Sequence, residues 1–201
     1  MKNLWSEVDA SAYKDDLDLR VYTSRLLGKN SSLVLHGGGN TSVKVTETNL
    51  VGAEEEILYV KGSGWDLVSI ERAGFSPVRM AHMLNLSKLE SLSDPEMVNE
   101  LKTQLTNATS PTPSVETILH AILPFKYVDH THADAVVTIS NTNNGEERIR
   151  EIYGNRVVIV PYVMPGFDLA KDVAQLFSEK ASDETEGMVL LNHGILKKKN
   201  R

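Results

Sequence analysis

Residues 126–136 read KYVDHTHADAV. Two histidines, His130 and His132, stand two positions apart in a stretch of strand-like composition. On an extended strand, residues i and i+2 project from the same face. The two imidazoles then sit side by side, either as a bidentate grip on a metal ion or as two polar side chains on a wet strand face. Neutral imidazole nitrogen suits zinc. Residues 125–132 lead toward a strand, and residues 135–139 continue the β-type signal.

Outward from this stretch, helices and strands interleave. Upstream, residues 107–113 (NATSPTP) form a loop, and Ser114-Val115-Glu116 opens a helix that runs to about residue 123, stopped near Pro124. Ser76-Pro77, followed by VRMAHMLNLSKLESL, reads as a helix start. Strands are expected at residues 41–45 and 56–60. Residues 31–35 are short and apolar and end in a sharp turn at His36-Gly37-Gly38-Gly39. Residues 15–27 carry Leu17, Leu19, Val21, Leu26 and Leu27, a plausible helical pattern. Downstream come a turn at 141–145, a strand at 156–160, a helix at 168–180 and a strand at 187–191. The alternation predicts one α/β domain over residues 1–201.

Composition narrows the function classes. Of 201 residues, 41% are hydrophobic and 24% charged, the balance of a globular protein. A formal net charge of −6 argues against a general nucleic-acid binder, which usually presents a basic face. With no cysteine, disulfides, thiolate-bound zinc and thiol catalysis are excluded. The N-terminal stretch is acidic and lacks the apolar run of a secretory signal. No apolar run approaches the length of a membrane span, so a cytoplasmic protein without membrane contact is expected. The C-terminal GMVLLNHGILKKKNR ends in a run of lysines, read either as a solvated tail or as a chain cut short.

A third ligand candidate, His193, follows the apolar residues 188–191. A catalytic zinc usually takes three protein ligands and keeps one position open. Asp129 and Asp134 are read as solvated carboxylates or as acceptors orienting the imidazoles. LHGGGNTSVK and VKGSGWDL are glycine loops whose backbone N–H groups could nest an anion, with Lys61 and Ser63 in the second; each is equally a tight turn. Ser114 is a helix cap or a phosphate contact. Glu116 stabilises a helix start, or moves a proton beside a metal-bound substrate.

LHGGGNTS, KGSGWDL, SVETILHAILP, VDHTHADAV and LLNHGI, in that order, resemble the class II aldolase/adducin family over nearly the whole chain. GGGNTSVK, KGSGWDL and HTHADAV look closest to the aldolase part of bifunctional rhamnulose-1-phosphate aldolase/alcohol dehydrogenases. The resemblance implies an α/β fold with a central, mostly antiparallel sheet and helices packed on it. It implies zinc, or another divalent metal, on His130, His132 and His193, with Glu116 as acid/base. It implies a phosphate cradle of Gly39, Asn40, Ser63, Gly64 and Ser114. The activity it implies is cleavage of a ketose 1-phosphate to dihydroxyacetone phosphate and an aldehyde. The substrate is then a small phosphorylated sugar, and the protein a homo-oligomer, by resemblance a tetramer. Epimerisation or dehydration on the same scaffold, a non-catalytic adducin-like assembly module, and a truncated relic are the alternatives. The family continues beyond Asn-His-Gly, so the chain is expected to be truncated at its C-terminus.

Overall fold

The computed structural model describes residues 3–198. Among the described residues, eight α-helices occupy Glu7–Ala10 (α1), Asp16–Gly28 (α2), Met80–Leu86 (α3), Asp94–Thr103 (α4), Thr117–Ile122 (α5), Asp134–Ser140 (α6), Gly145–Tyr153 (α7) and Phe167–Lys180 (α8). Seven strands occupy Asn40–Thr48 (β1), Glu54–Lys61 (β2), Phe75–Arg79 (β3), Tyr127–Thr131 (β4), Val157–Val160 (β5), Gly187–Leu190 (β6) and Gly194–Lys198 (β7). They form one sheet in the order β3-β2-β1-β4-β7-β6-β5. Every neighbouring pair is antiparallel except β5 and β6, which α8 connects as a parallel unit. The mostly antiparallel sheet with packed helices is the architecture that the family resemblance implies.

Strand parity sorts the core onto two faces. Leu58, Val60, Val128, Val158, Met188 and Leu196 point to one face, where α3, α4, α5 and α8 supply residues such as Met83, Leu101, Leu119 and Val173. Val43 points to the other, under Leu17 and Val21 of α2. Ile159 and Val189 share that second face with Val136 of α6 and Ile149 of α7. Burying each such side chain fully contributes about 1.5–3 kcal/mol over leaving it exposed.

Local signals set the element ends. Asp15 caps α2 by accepting from the backbone of Asp18, and Ser93 with Glu96 forms a reciprocal capping box on α4. α4 and α7 are helices beyond those expected from the sequence.

Three expectations are corrected. Residues 76–79 are strand, not the start of a helix: they pair with β2 at the sheet edge, where Pro77 is tolerated, and the helix begins only at Met80. Residues 135–139 form α6 rather than continuing β4. Both flanks of β4 are already taken by β1 and β7. The chain also turns at His132, whose N–H donates to Leu33 O, while that of Asp134 donates to Ser32 O. The β-branched run therefore packs as a helix, since strand preference depends on a sheet position being open. Lastly, the lysine run is not simply a solvated tail. Residues 197 and 198 belong to β7, which fills the place between β4 and β6; residue 199 lies outside the described residues.

Candidate metal centre and its carboxylate

The candidate site sits at the end of β4, the fourth of seven strands. His130 is in the strand and His132 is just past its end. His193 comes from the turn between β6 and β7, where Asn192 takes a left-handed φ of 58°. The turn must press close against β4. A Cβ on Gly194 would lie 2.5 Å from the Thr131 carbonyl oxygen and 3.0 Å from His130 Cε1, so only glycine fits. Gly39, at φ 66°, brings the first glycine loop in from the other side; a Cβ there would stand 2.8 Å from His130 O.

The three imidazoles converge. One ring nitrogen from each lies within 4.8 Å of the others, and His130 Nε2 and His132 Nε2 are 3.1 Å apart. Two ligands on a tetrahedral zinc, at Zn–N of about 2.0–2.1 Å, stand about 3.3 Å apart, close to what is seen. Burial pushes the pKa of each of the three down, which keeps them neutral, the form that binds metal. Geometry and donor set therefore fit a divalent ion on His130, His132 and His193.

Glu116 closes the arrangement. It immediately precedes α5, on the helical face of the sheet that carries His130, and it is 4% exposed. Its Oε1 lies 3.6 Å from His193 Nε2, and its Oε2 lies 3.7 Å from His130 Nε2. Asn40, paired directly with His130 across the β1–β4 ladder, donates its amide N–H to Oε2. Among the described residues Oε1 has no hydrogen-bond partner, although it is buried. Burial alone raises the carboxyl pKa; His130 and His193, when they carry a proton, and the Asn40 amide outweigh it and draw the group below its ordinary value. Glu116 thus presents one held oxygen and one free oxygen to the histidine cluster.

The five residues expected to cradle phosphate are not equivalent. Asn40 and Ser114 are tied to Glu116: the Asn40 amide and the Glu116 N–H both reach Ser114 Oγ at 3.3 Å. Gly39 abuts His130. Ser63 and Gly64 are exposed, and the Ser63 N–H is spent on Thr112 O. That contact, with Ser114 N–H to Lys61 O, nonetheless sets the second glycine loop against the segment that carries Ser114. Lys61 is buried and donates from Nζ to Gly37 O at 2.9 Å, bracing the first loop. Burial lowers its pKa, against the opposing charges of Asp66 and Glu116.

Asp129 does not orient an imidazole. Strand parity turns it to the opposite face, where it pairs with the fully buried Arg20 at 2.6 Å. Asp134 is exposed at the start of α6. The sequence reading assigned nothing to His120, which is 0% exposed and bonded to both Ser42 and Asn40. Its signal was available: His120 lies four residues after Glu116, so the two share one helical face.

Residues 19–197 match the family model described as the Class II Aldolase and Adducin N-terminal domain. The chain belongs to the class II aldolase and adducin family. It is similar to the solved N-terminal class II aldolase domain of a conserved protein from Thermoplasma acidophilum, with 44% identity and a TM-score of 0.89, covering 98% of this chain and 89% of that one. A structure described as L-fuculose 1-phosphate aldolase shares the fold at 15% identity and a TM-score of 0.59, covering 95% of this chain and 79% of that one. Among curated proteins, the uncharacterized oxidoreductase YuxG of Bacillus subtilis (strain 168) is 39% identical over 196 residues. That match takes in 98% of this class II aldolase-type chain but only 28% of the relative's length. Among the described residues, no helix is long and apolar enough to cross a membrane.

Proposed function

We propose that residues 1–201 act as a zinc-dependent aldolase domain that cleaves a ketose 1-phosphate, of the rhamnulose 1-phosphate kind, to dihydroxyacetone phosphate and an aldehyde. The observation that carries this reading is the pairing of three converging neutral imidazoles with a buried carboxylate that has one unpartnered oxygen. His130, His132 and His193 hold the metal. Zinc bound there would supply Lewis acidity for a carbonyl oxygen of the substrate. On cleavage, the C3–C4 pair of electrons stays with the dihydroxyacetone phosphate half, and the C4 hydroxyl becomes the aldehyde on losing its proton to water. Glu116 takes up a proton at Oε1 from water and delivers it to the carbon that gained the pair; in the synthetic direction it removes that proton and returns it to water. Asn40 holds Oε2 so that Oε1 keeps its aim. The phosphate lies against the two glycine loops, where Gly39, Asn40, Ser63, Gly64 and Ser114 offer polar groups and Lys61 adds positive charge. Family membership adds the expectation of a homo-oligomer.

A coupled assay for dihydroxyacetone phosphate release, run across several ketose phosphates with and without chelator, tests the reading. Release that stops on chelation and returns with zinc supports it. No release from any ketose phosphate by the zinc-loaded protein counts against it.

A further inference from the structure

Beyond that reading, and resting on its use of Glu116, we propose that His120 is a positioning residue. As a neutral imidazole protonated on Nε2, it fixes the amide of Asn40 and thereby decides which oxygen of Glu116 is left free.

The argument follows the hydrogen bonds. His120 Nδ1 lies 2.7 Å from Ser42 Oγ, and its Nε2 meets Asn40 Oδ1. Asn40 Nδ2 in turn meets Glu116 Oε2, with Ser114 Oγ at 3.3 Å. An amide oxygen can only accept, so His120 Nε2 must carry a hydrogen. In the neutral ring Nδ1 then accepts, and the Ser42 hydroxyl donates. Every bond runs in one direction: Ser42 to His120, His120 to Asn40, Asn40 to Glu116. The opposite tautomer would require the Asn40 amide to turn over. Its carbonyl oxygen would then face a carboxylate oxygen, two acceptors in contact at a buried site, which is costly. Tautomer and amide orientation are therefore one choice, and that choice keeps a donor on Oε2.

The anchor of this chain is rigid. Ser42 is in β1, paired with Val60 on one side and Val128 on the other, and is fully buried. His120 is fully buried on α5, one turn beyond Glu116, and its N–H donates to Glu116 O. Burial pushes the imidazole pKa down to about 3, against the pull of the Glu116 charge, so the ring is neutral at working pH. His120 is not one of the three clustered histidines, and no metal role is needed to explain its burial.

The test has two arms. Nitrogen-15 NMR of the imidazoles, on the full chain without metal and after adding zinc, reads the tautomer directly. The Nε2-protonated form is expected in both states, and an Nδ1-protonated or a cationic ring at neutral pH overturns the proposal. The second arm compares H120L with H120Q, which restores an N–H donor near the Nε2 position. H120L is expected to lose about a hundredfold in kcat with KM and zinc content little changed, the scale of a misplaced catalytic group. H120Q is expected to stay within about tenfold of the parent. Unchanged kcat in folded, zinc-loaded H120L, or equal losses in both variants, overturns it. If H120L does not fold, the tautomer and H120Q decide. If the parent chain releases no dihydroxyacetone phosphate, the aldolase reading fails and the tautomer still tests the role of His120.

Discussion

Asn40 and His130 face each other across the β1–β4 ladder, one touching the carboxylate of Glu116 and the other a member of the histidine cluster. This pairing joins the acid/base candidate to the metal candidate through backbone hydrogen bonds. Central strands hold such geometry better than loops do.

Replacing Glu116 by Gln leaves shape and burial nearly unchanged but removes the basic oxygen. E116Q is expected to bind zinc with parental stoichiometry and to lose turnover by about 10²–10⁴-fold, the range for a general acid/base. Zinc analysis and steady-state kinetics on the same sample check both halves.

Gly194→Ala puts a methyl group 2.5 Å from the Thr131 carbonyl. The β6–β7 turn must back away, carrying His193 with it. The expected cost is about 1–3 kcal/mol of stability, as for other overpacked sites, read from the urea midpoint. Zinc affinity should fall in parallel, because the added methyl group crowds His130 and displaces the turn that carries the third ligand.

Acid should destabilise the metal-free chain partly through His120. Its folded-state pKa, about 3, lies below the ordinary 6.5 because of burial. Between these values the unfolded chain binds more protons than the folded one, so stability falls as pH falls from 6.5 toward 3. Above 6.5 both states are neutral and the contribution is constant. The full effect is at most about 5 kcal/mol. Denaturant unfolding of the parent and H120Q at several pH values should give curves that differ in slope over this window and run parallel above it.

Part of the candidate site is legible in the sequence itself. The i, i+2 spacing of His130 and His132 placed two ring nitrogens together, and the structure has them 3.1 Å apart. Glu116 was different: its place near a helix start supported nothing more than dipole stabilisation. Its neighbours arrive from β1, 76 positions away at Asn40, and such long-range docking leaves no local pattern. The same holds for residues 135–139, whose β-branched run is locally strand-like but finds both sides of β4 already occupied. Lys197 conceals β7 in a similar way, since a strand filling an interior slot in the sheet is defined by its partners more than by its own composition. Asp129 shows parity working against a guess made from proximity: adjacent to His130 in sequence, it serves Arg20 on the far face.

The most direct measurement is metal content. The purified chain, stripped with chelator and titrated with zinc, should bind about one ion per chain. Alanine at His130, His132 or His193 should weaken binding beyond the roughly 10–100-fold that outer-shell changes cost. No zinc as purified, together with no uptake on titration of the folded protein, would contradict the account.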